Sequence, residues 1–499
     1  MRRHLVTKGS FYERLADHGH EIIADDDFSH LYSARMGRPS IPPSVMIRAM
    51  LCATHDRTSD AETSRRTRVD ADWKAAMGVD DDFEGIGATT FSLMRARMTA
   101  ADADNMLLQA TLAKAVEAGI FKGSLTAIID SSPVLGAGAV ADTYTLLRDA
   151  LRRVVRAGGQ RLSAGLHERA ERFCGAKPDI DWHDPEVRKA HLGELVGVAR
   201  QVVAEVDALG RDDPMAAPAG LLAQIVEQDT VVGDDGHVEI RQGVAPDRVV
   251  SVSDPEMRHG RKSARRRFDG HKMDVITDED SELILGVDVR AGNAGDGEGA
   301  APLLGQVQHV DGVHVDTLLG DMAYSDGDTR VAVEQHGATL VAKVPPLHNS
   351  GRFTRDTFYI DVDEVTCPAG EVTKDLRVGK DHKGRQAFVF VFSDDQCAHC
   401  PLRSQCTSSK GGRTIRIGAH HDRIEAARAA QDQPDVKALL RKRAKVERKI
   451  DHLQDLGMRK ARYRGRRQTR LQALLAATVA NFKRLVVLNA FNRATRAAA

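Results

Sequence analysis

The sequence predicts an α/β protein built around a mixed sheet, with helical segments before it and inserted within it. Two apolar, β-branched runs at 125–129 and 315–319 stop abruptly at polar residues, which is typical of buried strands. Residues 140–225 switch to helical periodicity, and a last strand is predicted at 338–344. The predicted strands therefore lie on both sides of a helical insertion.

A chain of 499 residues is long enough for about three domains. The N-terminal part is predicted to be helical, because Ser59 and Glu62 have the spacing of a capping box. The predicted parts are an N-terminal helical domain at 1–105, a core at 124–345 plus 430–499, a helical insertion at 140–225 and a Cys-rich insertion at 360–412.

Three acidic residues are the candidate catalytic groups. Asp130 and Asp321 each end a predicted strand, and Glu447 flanks an apolar helical stripe that runs from Val446 to Leu453. Clustered carboxylates repel one another unless cations bind between them. A pair of divalent ions about 4 Å apart can do this while clamping the attacking and leaving oxygens of a phosphodiester. The combination indicates metal-dependent phosphoryl transfer on nucleic acid.

Each acid also has an ordinary structural interpretation. Asp130 could cap a turn with the two serines that follow it, and Asp321 could close a Gly-Asp turn. Glu447 could pair with Arg443 one helical turn earlier. Structural carboxylates outnumber catalytic ones, so the catalytic interpretation depends on the three occurring together.

Several motifs resemble those of the DDE transposases of bacterial insertion sequences, and specifically the group typified by insertion sequence 1182. The resemblance covers nearly the whole chain. It is carried by Gly37 to Pro43, Ala88 to Ser92 with Arg95 and Arg97, Gly270-His271-Lys272, the run 283–289, Gly292-Asn293, Asp296, the Arg443 to Glu447 spacing, Tyr463-Arg464-Gly465, and Asn481 to Leu485.

This resemblance implies a ribonuclease-H-like catalytic core in which Asp130, Asp321 and Glu447 hold two Mg²⁺ or Mn²⁺ ions. Asp130 is expected to bridge both ions, with the other two acids each holding one. The implied activity is endonucleolytic cleavage at the inverted repeats of the element, followed by strand transfer to target DNA. Two double-stranded DNA ends must be brought together, so a homodimer in a synaptic complex is expected. The helical N-terminal domain could bind those ends through a helix-turn-helix or serve as a dimerising bundle.

The overall charge is balanced, with 71 basic and 71 acidic residues, but the basic residues are clustered. Residues 441–499 contain 17 basic and 3 acidic residues, and a shorter block from Arg258 to Lys272 contains seven basic residues and one acid. Such blocks suit phosphate neutralisation, although a solvated helix face has the same composition. The candidate DNA contacts are His271, Lys272, Arg443, Lys445, Arg448, Lys449, Arg464, Lys483 and Arg484.

Two positions depart from the pattern of the family. Relatives often carry Tyr three residues before the Arg and Lys seven residues after the Glu, where this chain has Leu440 and Gln454. These departures keep open an alternative, a domesticated and catalytically inactive transposase that still binds DNA. A host repair nuclease with a ribonuclease-H-like fold is a second alternative, which the helical N-terminal domain disfavours.

Four of the six cysteines fall between the last predicted strand and the Glu447 helix. Cys397 and Cys400 form a Cys-x-x-Cys pair, with Cys367 and Cys406 outside it. Four thiolates can complete one tetrahedral Zn²⁺ site, and zinc is a better match than disulfides in a cytosolic protein. Free reduced thiols are the alternative.

No apolar stretch of 18 residues occurs, and the charged N-terminus is not followed by an apolar segment. The sequence therefore predicts a cytoplasmic protein with no membrane partner, and the resemblance implies a bacterial protein associated with the nucleoid.

Overall fold

The N-terminal part of the chain is helical. The computed structural model describes residues 6–32, 41–263, 265–381 and 384–492, so Gly37 to Ser40 of the N-terminal motif lie outside the described residues. Ser10, Ser59 and Asp70 each begin a helix by accepting a hydrogen bond from the backbone N–H three residues later. The helices here are α1 (Phe11–His18), α2 (Pro43–Asp56), α3 (Asp60–Val69), α4 (Ala71–Met77), α5 (Ala88–Ala100) and α6 (Met106–Glu117).

A helical insertion follows the first strand, β1 (Leu125–Leu135). Asp142 and Asp184 cap two of its helices, and its apolar side chains form a hydrophobic core of their own. The elements are α7 (Thr143–Gly158), α8 (Ala164–Cys174), α9 (Pro185–Leu209), α10 (Ala216–Asp229) and a small antiparallel pair, β2 (Thr230–Val232) and β3 (Val238–Ile240).

The central sheet is completed by the next segment of the chain. Its elements are β4 (Arg258–Arg261), β5 (Arg267–Asp278), β6 (Ile284–Ala291), α11 (Ala300–Gln308), β7 (Val315–Gly320), α12 (Gly327–Glu334) and β8 (Thr339–Ala342). The strand order is β4-β5-β1-β7-β8, with β6 also paired to β5. Strands β4, β5, β6 and β1 pair antiparallel, whereas β1, β7 and β8 pair parallel. The mixed α/β architecture predicted from the sequence is confirmed.

A Cys-rich β segment follows the central sheet. It contains two three-stranded antiparallel sheets around a small core that includes Phe358, Phe390 and Phe392. Its elements are β9 (Tyr359–Ile360), β10 (Val365–Thr366), β11 (Val372–Thr373), β12 (Leu376–Lys380), β13 (Gln386–Val391), α13 (Asp394–Ala398), α14 (Arg403–Cys406) and β14 (Thr414–Gly418).

Helices return at the C-terminal end. They are α15 (His421–Ala430), α16 (Pro434–Lys442), α17 (Ala444–Leu453) and α18 (Arg466–Val487). A π-helical segment at Gln454–Met458 ends α17, and Gly457 within it has a φ of 102°. That left-handed backbone favours glycine and lets the chain turn before α18.

The two faces of the central sheet pack against different helices, because side chains alternate along each strand. On β1, Ala127 and Ile129 face a core that includes residues of α11, whereas Ile128 and Val134 face a core that includes α17 and α18. The second core also contains residues of α1 to α6. The N-terminal helices therefore share their core with the C-terminal helices and the sheet.

One polar contact fixes α18 against this sheet. Asn481 is buried, its amide oxygen accepts a hydrogen bond from Ile284 N, and its amide nitrogen donates to Ile284 O and to the Thr111 hydroxyl.

Within the described ranges, the structure contains no helix that is both long and apolar enough to cross a membrane.

Candidate active site

The register of β1 and β7 brings Asp130 and Asp321 side by side. These neighbouring strands are parallel, and Ile128 pairs with Leu319. Two residues after this pair, each of the two segments has an aspartate, Asp130 or Asp321, on the face that packs against α17 and α18. Asp321 follows the last residue of β7, where its side chain accepts a hydrogen bond from Ala323 N at 2.8 Å and begins a short 3₁₀ turn.

Glu447 is held over these strands by the apolar face of α17. Val446, Ile450 and Leu453 are buried against the sheet, as the helical stripe in the sequence predicts. The start of α17 is anchored to the β5–β6 turn, where Glu279 pairs with Lys445 and also accepts from Lys442, the last residue of α16, at 2.8 Å. Packing and ion pairing together fix the position of Glu447.

Arg443 connects the helix to the strand. Its Nη1 donates to Asp130 Oδ2 at 3.2 Å, and its Nη2 donates to Glu447 Oε1 at 3.2 Å. One guanidinium thus partly compensates two of the three acids. The pairing of Glu447 with Arg443 expected for an ordinary helix is present, and the same arginine extends it to Asp130.

The Asp130 side chain is 17% exposed, whereas that of Glu447 is 57% exposed. Burial raises the pKa of the Asp130 carboxyl above the ordinary value, while the Ser131 backbone N–H and the Arg443 charge lower it in part. The negative charges of Asp321 and Glu447 raise the same pKa further. A desolvated carboxylate beside two others is a site that gains from binding a cation.

The three acids line one concave pocket of about 400 Å³. A fourth carboxylate, Asp296, lies at its wall and accepts hydrogen bonds from Ser131 Oγ at 2.7 Å and from Lys272 Nζ at 2.8 Å. Gln454 also lines the pocket and donates to Ser132 Oγ at 3.0 Å. Asp296 was part of the family resemblance, but sequence reasoning gave it no role.

The tertiary structure separates the candidate DNA contacts into groups. Lys272 and Arg443 line the acid pocket, and Arg464 is exposed. His271, in contrast, is completely buried with its Nε2 3.5 Å from Asp254 Oδ2. The expectation that His271 touches phosphate is wrong, because DNA cannot reach a side chain enclosed beneath the sheet.

The candidate basic side chains of α17 and α18 contact other groups of the protein. Arg448 and Lys449 pair with Glu282 at 2.9 and 3.2 Å, and Lys445 pairs with Glu279. Arg484 donates to Ser281 O at 2.6 Å, and Lys483 lies 5.8 Å from the centre of the Phe11 ring. These five side chains lie outside the acid pocket, and their contact with DNA stays a prediction.

Two basic residues that were not among the named DNA contacts lie beside the acids. Arg261 and Lys262, from the hairpin formed by β4 and β5, line the pocket together with Phe268. The short basic block in the sequence pointed to this segment, but only the fold brings it next to the acids.

The four cysteines of the β segment lie near one another. Cys367, Cys397 and Cys406 pack against its small aromatic core. Burial raises the pKa of the Cys406 thiol, and the other three thiols raise it further. All four are free thiols.

Across residues 6–32, 41–263, 265–381 and 384–492, no three His, Cys, Asp or Glu side chains form a preassembled metal site. The donors of the acid pocket are nevertheless chemically suited to Mg²⁺ or Mn²⁺, which prefer carboxylate oxygens. The thiols of the β segment are chemically suited to Zn²⁺.

Comparison with known families gives two matches. Residues 366–486 match the family described as Transposase DDE domain, and residues 1–97 match Transposase domain (DUF772). The first range contains Glu447, whereas Asp130 and Asp321 lie between the two matched ranges. Comparison with curated proteins and with solved structures found no match.

Together the two family matches support a DDE transposase, an enzyme class that acts on DNA and typically uses divalent metal ions.

Proposed function

We propose that this protein is a transposase that cleaves DNA at the terminal inverted repeats of its own insertion sequence and transfers the freed strand to a target site. The observation that carries the proposal is the convergence of Asp130, Asp321 and Glu447 on one pocket. They come from two parallel strands and a helix more than 300 residues from the first strand. The transposase families matched at both ends of the chain support the same activity.

The strand arrangement supports a ribonuclease-H-like core. In the order β6-β5-β1-β7-β8, the first three strands are antiparallel and the last three are parallel. Such a core places one carboxylate on the first strand and one at the end of the neighbouring parallel strand. The assignment to the insertion sequence 1182 group remains part of this proposal.

Each residue of the pocket has a proposed role. Asp130, Asp321 and Glu447 would hold two Mg²⁺ or Mn²⁺ ions. When bound, the ions supply charge stabilisation for the attacking and leaving oxygens of the phosphodiester. Arg443 partly compensates the charges of Asp130 and Glu447 in the metal-free protein and would donate to a phosphate oxygen bound in the pocket. Lys272 holds Asp296 against Ser131, next to Asp130 on β1.

DNA cleavage with matched variants tests this function. The substrate is a duplex that carries the flanks of the gene, incubated with Mg²⁺ or Mn²⁺ and with wild type, Asp321→Asn or Asp316→Asn. Asp316 is exposed on the same strand and is the matched control. We expect cuts at the element ends with wild type and the control, and a loss of more than 100-fold with Asp321→Asn.

Wild-type binding without cleavage would instead support the domesticated DNA-binding alternative. Cleavage by Asp321→Asn within about tenfold of wild type would remove that residue from the proposed triad.

The remaining features have proposed partners of their own. We propose that the N-terminal helices contribute to binding the element ends, that two protomers synapse them as a homodimer, and that the protein acts in the bacterial cytoplasm at the nucleoid. For Cys367, Cys397, Cys400 and Cys406 we propose one structural Zn²⁺.

Metal analysis of the purified full-length protein tests the zinc site. We expect one Zn²⁺ per chain in wild type and in the control Cys174→Ala, which lies in the helical insertion. Cys400→Ala should lose it. Protein purified without chelators that contains no zinc would overturn this assignment.

A further inference from the structure

The hairpin of β4 and β5 carries an unusual concentration of uncompensated positive charge. Its turn is closed by Lys262 N, which donates to Arg266 O at 2.8 Å. Five basic side chains of the hairpin are exposed, and among the described residues none of them has an acidic partner. They are Arg261, Lys262, Arg265, Arg266 and Arg267.

The C-terminal basic block differs in this respect. Nine of the 15 basic residues in the described range 441–492 make an ion pair with an acid of this chain. Those pairs hold helices in place and leave less charge for a partner. The free positive charge near the acid pocket is therefore concentrated on the hairpin.

The register of the hairpin places two of these cations directly opposite each other. In the strand register Arg261 lies directly opposite Arg267. Two residues away on the same face, His259 lies opposite Asp269 and contacts it. Opposite charges stabilise the second pair, whereas two like charges directly across a sheet are destabilising. An anion between Arg261 and Arg267 would remove that cost.

The hairpin separates two cavities. On one side, Lys262 and Phe268 line the acid pocket, and on the other, Arg267 lines a cavity of about 490 Å³. Arg261 lines both. The Phe268 ring covers Gly260, where a Cβ would have no room, so the ring forms part of the pocket wall. A DNA backbone that crosses the hairpin at Arg261 would pass from the second cavity into the acid pocket.

We propose that this hairpin is a phosphate-binding arm that holds the backbone of the DNA strand entering the acid pocket. Arg261 and Arg267 grip one phosphate, and Lys262 contacts the next one towards the acids. The inference rests on the proposed function for the identity of the strand, but the arm binds DNA independently of cleavage. Its contacts are to the backbone, so they position DNA without reading sequence.

Salt-dependent binding in EDTA tests the arm, with a fluorescent duplex that carries the element end as the probe. The variant combines Arg261→Gln, Lys262→Gln and Arg267→Gln. The control combines Arg172→Gln, Arg200→Gln and Arg211→Gln, which removes the same charge from exposed residues of the helical insertion. Circular dichroism checks the folding of both.

Each phosphate contact adds about 0.9 to the slope of log affinity against log salt. We expect the hairpin variant, which loses contacts to two phosphates, to lose roughly 2 units of slope and more than tenfold in affinity at about 100 mM salt relative to the control variant. An equal loss in both variants, or no loss in the hairpin variant, overturns the arm.

This binding experiment and the metal-dependent cleavage assay together distinguish the arm from the proposed function. If wild type does not cut its flanks but the hairpin variant alone loses slope, the arm stands and the cleavage activity fails. If wild type cuts and the hairpin variant binds as tightly as the control, the cleavage activity stands and the arm fails.

Discussion

Arg443 Nη1 lies 3.2 Å from Asp130 Oδ2, although the two residues are 313 positions apart in the sequence. The same guanidinium reaches Glu447, so one cation links the first strand of the sheet to α17. This contact stabilises a group of acids that would otherwise repel one another.

We expect Asp130→Asn to raise the thermal unfolding midpoint by about 1–3 °C in chelator-treated buffer at pH 7. Burial raises the pKa of Asp130 in the folded protein, so the folded state binds this proton more tightly than the unfolded state does. The resulting stability is present at low pH and is lost as the pH rises through the folded pKa. At neutral pH the charge is a cost, which the amide avoids. A lower midpoint than that of Asp316→Asn would mean that the ion pair with Arg443 outweighs burial.

Glu279→Gln is expected to destabilise the protein by roughly 1–3 kcal/mol, because it removes the acid that pairs with Lys442 and Lys445. These pairs hold the helices on either side of Arg443, so DNA cleavage should fall more than DNA binding. Thermal unfolding and the cleavage assay measure the two effects. The neighbouring exposed residue provides the control, Asp280→Asn, which should change neither. An unchanged midpoint in Glu279→Gln would contradict the anchoring role.

Asn481→Leu should cost roughly 2–5 kcal/mol, because it leaves the buried N–H and C=O of Ile284 without their partners on α18. Thr111→Val removes only one hydrogen bond to the same amide and should cost about 1 kcal/mol. Denaturant unfolding of the three proteins gives the comparison. If both variants lose the same amount, the contact with Ile284 is not the one that matters.

The stability contributed by Asp56 should depend on pH. Burial raises the pKa of this carboxyl, but hydrogen bonds from His55, Tyr12 and Trp73 and the Arg66 charge outweigh it and lower the pKa to about 2. A depressed carboxyl pKa stabilises the fold above the unfolded value, and this contribution is lost as the pH falls towards the folded value.

Asp56→Asn should therefore destabilise the protein by roughly 2 kcal/mol at pH 7 and by much less near pH 2. Unfolding midpoints of wild type and variant between pH 2 and 7 test this. If the difference between the two midpoints stays constant across this pH range, the destabilisation comes from altered packing and not from the lost charge of Asp56.

The central strands could be predicted from local pattern, because β-branched runs that end in a turn carry their own signal. The helix of Glu447 was predicted from Val446, Ile450 and Leu453 for the same reason. Helix α6 was not predicted, and neither was the shared core of the N-terminal helices with α18. Helix α6 has buried residues at helical spacing, Leu108, Leu112 and Ala115, so its local signal was present and was overlooked. The shared core depends on packing between segments far apart in the chain, which leaves no local pattern to detect.

The candidate site shows the same division. His271 belongs to a basic block, but the pleat of β5 turns it into the interior beside Asp254. Helical periodicity alone predicts that Lys445, Arg448 and Lys449 are exposed. In the structure they form ion pairs with Glu279 and Glu282 on the β5–β6 turn.

The sequence by itself determined the α/β class, the strand that precedes Asp321 and the helix of Glu447, because these follow from hydrophobic periodicity within short segments. It also placed a strand before Asp130, but that strand was expected to stop there, whereas β1 continues to Leu135 because its second half pairs with β5. Only the tertiary structure decided that Arg443 bridges two of the acids, that His271 is buried, and that the free positive charge beside the pocket lies on the β4–β5 hairpin. Those properties are set by strand register and by ion pairs between residues distant in sequence, because these contacts decide which charges are paired within the protein and which are left for a partner.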